Sequence, residues 1–132
     1  MARPKQEQPT PGELEVLKVL WEIGPATVRQ VMDRLNEQTH PRAYTSVMSL
    51  LNVMTDKRLV RRRTRGRAFA YEATAEQKQT LGCLLGDLLG RAFSGSTTAL
   101  VTQLLDQSNP TAAELEEIRR LLDNYPAQDD AP

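Results

Sequence analysis

Cysteine, histidine and long apolar runs are all scarce in this chain of 132 residues. Its one cysteine, Cys83, has no partner for an internal disulfide. Its one histidine, His40, leaves no Cys/His cluster to close a zinc site and no base to activate a thiol nucleophile. Metal-dependent and hydrolytic chemistry are therefore not expected, and neither an enzyme activity nor a cofactor is implied. The first residues, MARPKQEQPTPGELEV, lack the apolar core of a signal peptide, and no stretch approaches the ~18 apolar residues of a membrane span. A cytoplasmic protein without membrane insertion is expected. Cys83 sits in a leucine-rich helical pattern, where it reads first as a small buried hydrophobe and second as a redox-sensing thiol.

Net charge is absent too, because 17 Lys and Arg balance 17 Asp and Glu. The balance hides a dipolar chain. Residues 1–72 hold 13 basic against 8 acidic side chains, and residues 73–132 hold 4 against 9. A basic half suits a phosphate-rich partner, and an acidic half should stay off that partner and do other work. The basic charge is concentrated in KRLVRRRTRGR, residues 57–67, which carries Lys57, Arg58, Arg61, Arg62, Arg63, Arg65 and Arg67 and no acid.

The elements around that run can be read from caps and periodicity. Thr10-Pro11-Gly12-Glu13 supplies an N-cap, a helix-starting proline and a capping-box acid ahead of Leu14, Val16, Leu17, Leu20 and Trp21. A first helix should run to about Glu22, where Gly24-Pro25 stops it. Thr27 and Gln30 repeat the capping pattern before Val28, Val31, Met32 and Leu35 in a short second helix. After the polar loop 36–42, Val47, Leu50, Leu51 and Met54 recur at helical spacing and should face a core. The opposite side of this third helix carries Tyr44, Thr45, Ser46, Ser49, Asn52 and Thr55, groups that form hydrogen bonds but bear hardly any charge. Such side chains can reach base edges in a major groove, although a merely polar helix would look similar.

Residues 59–64 and 68–73 read as two strands around Arg65-Gly66, a turn in which glycine supplies positive φ. Phe69 and Tyr71 alternate with Ala68 and Ala70, so one face of the returning strand should be apolar and pack on the helices. The arginines are then mounted on a folded ribbon rather than a loose tail. Three helices followed by a basic hairpin is the order of a winged helix-turn-helix, in which the third helix enters the major groove and the hairpin meets the phosphates. The candidate base-reading residues are Arg42, Thr45, Ser46, Ser49 and Asn52, and the candidate backbone contacts are Tyr44, Arg58, Arg61, Arg63, Arg65 and Arg67.

The segments GELEVLKVLWEIGPATVRQV, AYTSVMSLLNVMTDKRLVRR and GRAFAYEA resemble the penicillinase-repressor family, the BlaI/MecI-type transcriptional repressors. The resemblance spans roughly residues 10–124 and is strongest at Leu-Trp before Gly-Pro, at Tyr44-Thr45-Ser46-Val47 and at Phe69-Ala70-Tyr71. It implies a homodimer on a short inverted repeat of double-stranded promoter DNA, released when a membrane sensor-protease pathway leads to cleavage in the C-terminal domain. This chain departs from the pattern in three places. Cleaved members carry an Asn-Phe bond where this chain has Gln103-Leu104, and no Asn-Phe pair occurs in it, which speaks against release by that protease. The terminal DNYPAQDDAP lacks the cysteine-rich motif of copper-responsive relatives. Arg58 stands where glycine often follows the lysine after the third helix, at a cost of about 1 kcal/mol if that position is left-handed.

The second half reads as a helical dimerisation domain. Thr74 with Gln77 can cap a helix bearing Leu81, Leu84, Leu85, Leu88, Leu89, Ala92 and Phe93, and Gly95 interrupts it. Leu100, Val101, Leu104 and Leu105 mark another helix, and Thr111 with Glu114 caps a last one carrying Leu115, Ile118, Leu121 and Leu122. Helices this short bury too little by themselves, so their leucine faces should meet those of a second chain. A small bundle docked on the first domain is the other reading. The fold class expected is thus mainly α with a small β-hairpin: a winged helix-turn-helix over residues 1–73, a helical dimerisation domain over 74–126 and a disordered tail over 127–132. The function expected is an operator-binding repressor, with a winged-helix module that binds another protein as the alternative.

Overall fold

A computed structural model describes residues 8–128 of the chain. Helix α1 spans Pro11–Ile23, strand β1 Ala26–Thr27, helix α2 Val28–Gln38 and helix α3 Tyr44–Asp56. Strands β2 (Val60–Arg65) and β3 (Ala68–Ala73) follow, and then helices α4 (Gln77–Ala92), α5 (Thr97–Ser108) and α6 (Ala112–Asn124). Two compact units are distinguished, Met1–Gly86 and Asp87–Pro132, with the boundary inside α4 rather than after β3. The expected tail over 127–132 lies mostly outside the described residues, as does the start of the expected first domain.

Local chemistry sets the helix starts. In α1 the Thr10 hydroxyl accepts the Glu13 N–H at 3.3 Å while the Glu13 carboxylate accepts the Thr10 N–H at 2.9 Å, a reciprocal capping box. Thr27 and Gln30 repeat the arrangement at α2. Thr74 does not cap α4: its hydroxyl donates to the Arg58 carbonyl at 2.7 Å, which anchors the segment after β3 to the end of α3.

The first unit is a winged helix. Val16, Leu17 and Leu20 of α1, Val31 and Leu35 of α2, and Val47, Leu51 and Met54 of α3 are buried together, and Leu59, Val60 and Tyr71 close the core from the sheet side. The indole N–H of Trp21, at the core margin, donates to the Ala75 carbonyl at 2.9 Å. The sheet has three antiparallel strands in the order β1-β3-β2, one more than the ribbon expected. Strand β1 gives no periodic signal because it is two residues long and runs directly into the cap of α2. It covers the otherwise open edge of β3 through the pairs Ala26 with Tyr71 and Thr27 with Ala70.

The end of α3 aims the hairpin. Lys57 is the C-cap, the Arg58 N–H bonds the Thr55 carbonyl at 3.1 Å, and the Leu59 N–H bonds the Met54 carbonyl at 2.9 Å, which is a Schellman motif. Its hydrophobic contact is supplied by Met54 and Leu59, both buried. Arg58 has a φ of 65°, the left-handed conformation expected for this position. Arg58→Gly should therefore raise stability by up to about 1 kcal/mol. Chemical denaturation at neutral pH checks this, and an unchanged or lower midpoint would show that the arginine side chain offsets its backbone strain.

An ion pair between a buried acid and a half-buried lysine ties the two ends of the helical core. Glu13 is 2% exposed, and its carboxylate lies 2.9 and 3.1 Å from the Lys57 ammonium. Burial raises the pKa of this carboxyl. The Thr10 N–H, the hydrogen bond and charge of Lys57 and the Thr10 hydroxyl outweigh that effect and leave the pKa below its ordinary value.

In the second unit, Ser96 caps α5 by accepting the Ala99 N–H, and Thr111 caps α6 by accepting the Glu114 N–H. Asn109 ends α5 in the left-handed conformation. None of the three C-terminal helices contains a buried residue.

Candidate nucleic-acid interface

Helix α3 divides cleanly by environment. Val47, Leu51 and Met54 are fully buried and Leu50 partly so, which leaves Thr45, Ser49 and Asn52 as an exposed polar ridge along the opposite side. Ser46 is half-buried at the flank. The Thr55 hydroxyl is spent within the helix, donating to the Leu51 carbonyl at 2.7 Å. Tyr44 is exposed at the first turn. Sequence reasoning passed over Met48, which is exposed three residues after Thr45 and four before Asn52. Its spacing was the available signal, and the core stripe of Val47, Leu50, Leu51 and Met54 left it unassigned. Among the described residues the N-cap of α3, Ala43, makes no side-chain hydrogen bond, so the first turn presents N–H groups without the hydroxyl acceptor found at α1 and α2.

Arg42 belongs elsewhere. Its guanidinium lies 3.2 Å from the Glu15 carboxylate and is packed beside Gly12, where a methyl group would come within 3.2 Å of Nη2. Its backbone N–H is held by the Asn36 side chain at 2.8 Å. The side chain is thus directed at α1 and fixes the loop before α3.

The wing is a two-residue hairpin, Gly66-Arg67, closed by the pair Arg65 and Ala68. Gly66 takes a φ of 60° and Arg67 does not share it, the pattern of a turn with glycine in the first central position. The register places Val60, Arg62, Thr64, Phe69, Tyr71 and Ala73 on one face and Arg61, Arg63, Arg65, Ala68, Ala70 and Glu72 on the other. Only the base of the first face meets the core. Tyr71 is buried there, whereas Phe69 is 49% exposed further out and is covered by the Arg62 guanidinium, 4.4 Å from the ring centroid. The expectation that Phe69 packs on the helices is therefore corrected: the hairpin extends beyond the helical layer, and a cation supplies the lid. On the second face Glu72 contacts Arg61, and it lies 3.0 Å from Nε of Arg63. Arg58, Arg65 and Arg67 are exposed, and among the described residues Arg65 and Arg67 form no ion pair.

The leucines expected at a dimer interface are displayed rather than sequestered. Leu81, Leu85, Leu88, Leu104, Leu121 and Leu122 are exposed, and Leu84, Leu89, Leu100 and Ile118 are half-buried. Cys83 is exposed as well, which overturns the expectation of burial within the chain. Among the described residues there is no group of His, Cys, Asp and Glu able to hold a metal ion, and no helix long and apolar enough to cross a membrane.

Several known proteins are similar to this chain. The penicillinase repressor of Bacillus licheniformis is 22% identical over 121 residues, covering 92% of this chain and 94% of that protein. Among solved structures, the DNA-binding domain of the repressor BlaI superposes with a TM-score of 0.49 at 23% identity, over 57% of this chain and 90% of that one. The monomeric form of Bacillus licheniformis BlaI in complex with the blaP half-operator gives 0.48 at 23% identity, over 56% and 89%. A MarR family protein from Bacillus stearothermophilus gives 0.47 at 18% identity, over 87% and 76%. The model of the Penicillinase repressor family matches residues 9–124, from the cap of α1 to the end of α6. The chain is thus a member of the penicillinase-repressor family, a family of DNA-binding transcriptional repressors.

Proposed function

We propose that the chain represses transcription as a cytoplasmic homodimer on an inverted-repeat operator, with α3 in the major groove and the wing along the sugar-phosphate backbone. The observation that carries this reading is the exposed ridge of Thr45, Ser49 and Asn52, uncharged and short-stemmed, on a helix whose Schellman end leads straight into an arginine-bearing hairpin. Asn52 can bond adenine in bidentate fashion, Thr45 and Ser49 can bond several base edges, and Met48 offers an apolar surface to a thymine methyl. The open N–H groups of the first turn and Tyr44 suit phosphate, as do Arg58, Arg65 and Arg67. Repression is steric: a protein covering the promoter excludes the polymerase. Cleavage at an Asn-Phe bond is not part of the proposal, since the chain has no such pair.

A salt titration of binding to duplex taken from upstream of its own gene tests the proposal. With about four phosphates neutralised per subunit, a dimer should give a log–log slope near −7, from about −0.9 per contact. A flat salt response together with capture of a protein through the wing would favour the protein-interaction alternative. Selection from a randomised operator checks the reading set. Ser49→Ala should relax preference at one base pair of each half-site, worth about 1–3 kcal/mol, while Met48→Ala should lose the preference for thymine over uracil. Unchanged selection profiles would remove both residues from base reading.

A further inference from the structure

The wing cations are not equally available to a ligand. Antiparallel register sets Glu72 directly opposite Arg61, and Arg63 lies two residues along the same face, opposite the small Ala70. One oxygen of Glu72 serves both guanidinium groups through their Nε atoms, with Arg63 at 3.0 Å. The Glu72 side chain is 18% exposed while each arginine is 58% exposed, so the acid lies beneath the two cations that cover it. Beyond this cluster, at the hairpin tip, Arg65 and Arg67 have no acid beside them among the described residues.

We infer that Glu72 is a positioning residue of the DNA interface that competes with phosphate for Arg61 and Arg63, so that the wing engages the backbone from its tip through Arg65 and Arg67. The inference rests on the DNA-binding reading and names which arginines that reading employs. Carboxylate and phosphate oxygens satisfy a guanidinium in the same way, so an arginine held by Glu72 must surrender one partner to gain the other. Exposed ion pairs are individually weak, which makes the clasp reversible. Nonspecific binding depends almost wholly on counterion release, and it is therefore the binding mode that Glu72 restrains most. The wing thereby carries a high density of arginine without a matching attraction to every duplex.

The test uses the full chain and a random-sequence duplex of fixed length, with binding followed by fluorescence anisotropy across a salt series. Four proteins are compared with the parent: Glu72→Gln, Arg63→Ala, the double variant, and Glu76→Gln as a control that removes an exposed acid next to α4. Glu72→Gln should steepen the log–log slope by about one to two per subunit and tighten low-salt binding roughly tenfold. Arg63→Ala should leave the parent slope unchanged, yet flatten that of the Glu72→Gln protein by about one per subunit. Two results would overturn the inference while DNA binding stands: a flattening of the parent slope by about one per subunit from Arg63→Ala alone, or equal effects of Glu72→Gln and Glu76→Gln. If neither parent nor variants bind duplex in a salt-dependent way, the DNA-binding reading itself falls and takes this inference with it.

Discussion

A chain carrying Leu88→Asp and Leu104→Asp is expected to sediment as a folded monomer and to bind its operator at least ~100-fold more weakly than the parent. The expectation follows from where the apolar surface lies. Every residue of the buried hydrophobic cluster falls at or before Ala75, so the winged helix possesses a core of its own. The three C-terminal helices bury no residue, and Leu104, Leu121 and Leu122 are each more than half exposed. Apolar surface left open to water on so many helices calls for a partner, and a second copy presents the same surface. Carboxylates at Leu88 and Leu104 would have to be desolvated in such an interface, which opposes association while leaving the first unit intact. The loss in affinity arises because two linked half-site contacts become two separate binding events. Sedimentation and operator titration on the same samples check the outcome, and a variant that remained dimeric with parental affinity would place the subunit contact elsewhere.

Lys57→Met is expected to destabilise the fold by about 3 kcal/mol at neutral pH, since it leaves the Glu13 carboxylate buried without its counter-charge. Glu13 would retain the N–H and hydroxyl of Thr10, which is why the effect should fall short of complete unfolding. The pH dependence gives this prediction its sign. The pKa of Glu13 is lowered in the folded chain, so the pair contributes stability above the ordinary carboxylate pKa and loses it as pH falls through the folded value. Without Lys57 two of the lowering effects are lost, so the carboxyl takes up its proton at higher pH than in the parent. The difference between parent and variant should therefore be greatest near neutrality and shrink on acidification below the carboxylate range. Denaturant melts at several pH values measure it. A difference independent of pH would show that Lys57 acts through packing alone.

Features set by neighbours in sequence were legible before any coordinates. The capping boxes at Thr10 and Thr27 depend on residues three apart and the α3 core stripe on helical spacing, while the left-handed Arg58 was implied by the family resemblance, in which glycine often stands there. The hairpin could be placed because Gly66 marks its turn and because β-structure alternates at period two. What could not be read depends on distant partners. Arg42 is claimed by Glu15, 27 residues earlier, and Thr74 by the Arg58 carbonyl, 16 residues earlier. The position of Phe69 depends on how far the hairpin projects beyond the helices, and that length is set by tertiary packing rather than by alternation. Phe69 erred because an apolar side chain on an alternating strand was assumed to seek the core. The clasp of Glu72 on Arg61 and Arg63 required the strand register, which fixes the faces of all three residues together.

Hydroxyl-radical footprinting of the full chain on its operator, combined with the stoichiometry of the complex, separates a dimer spanning two half-sites from a singly bound chain. Two chains per duplex are expected, with two related patches of backbone protection whose centres lie about one helical turn, roughly 10 base pairs, or a multiple of it apart. Protection at a single patch by one chain, or by two chains at patches on unrelated faces of the duplex, would contradict this expectation.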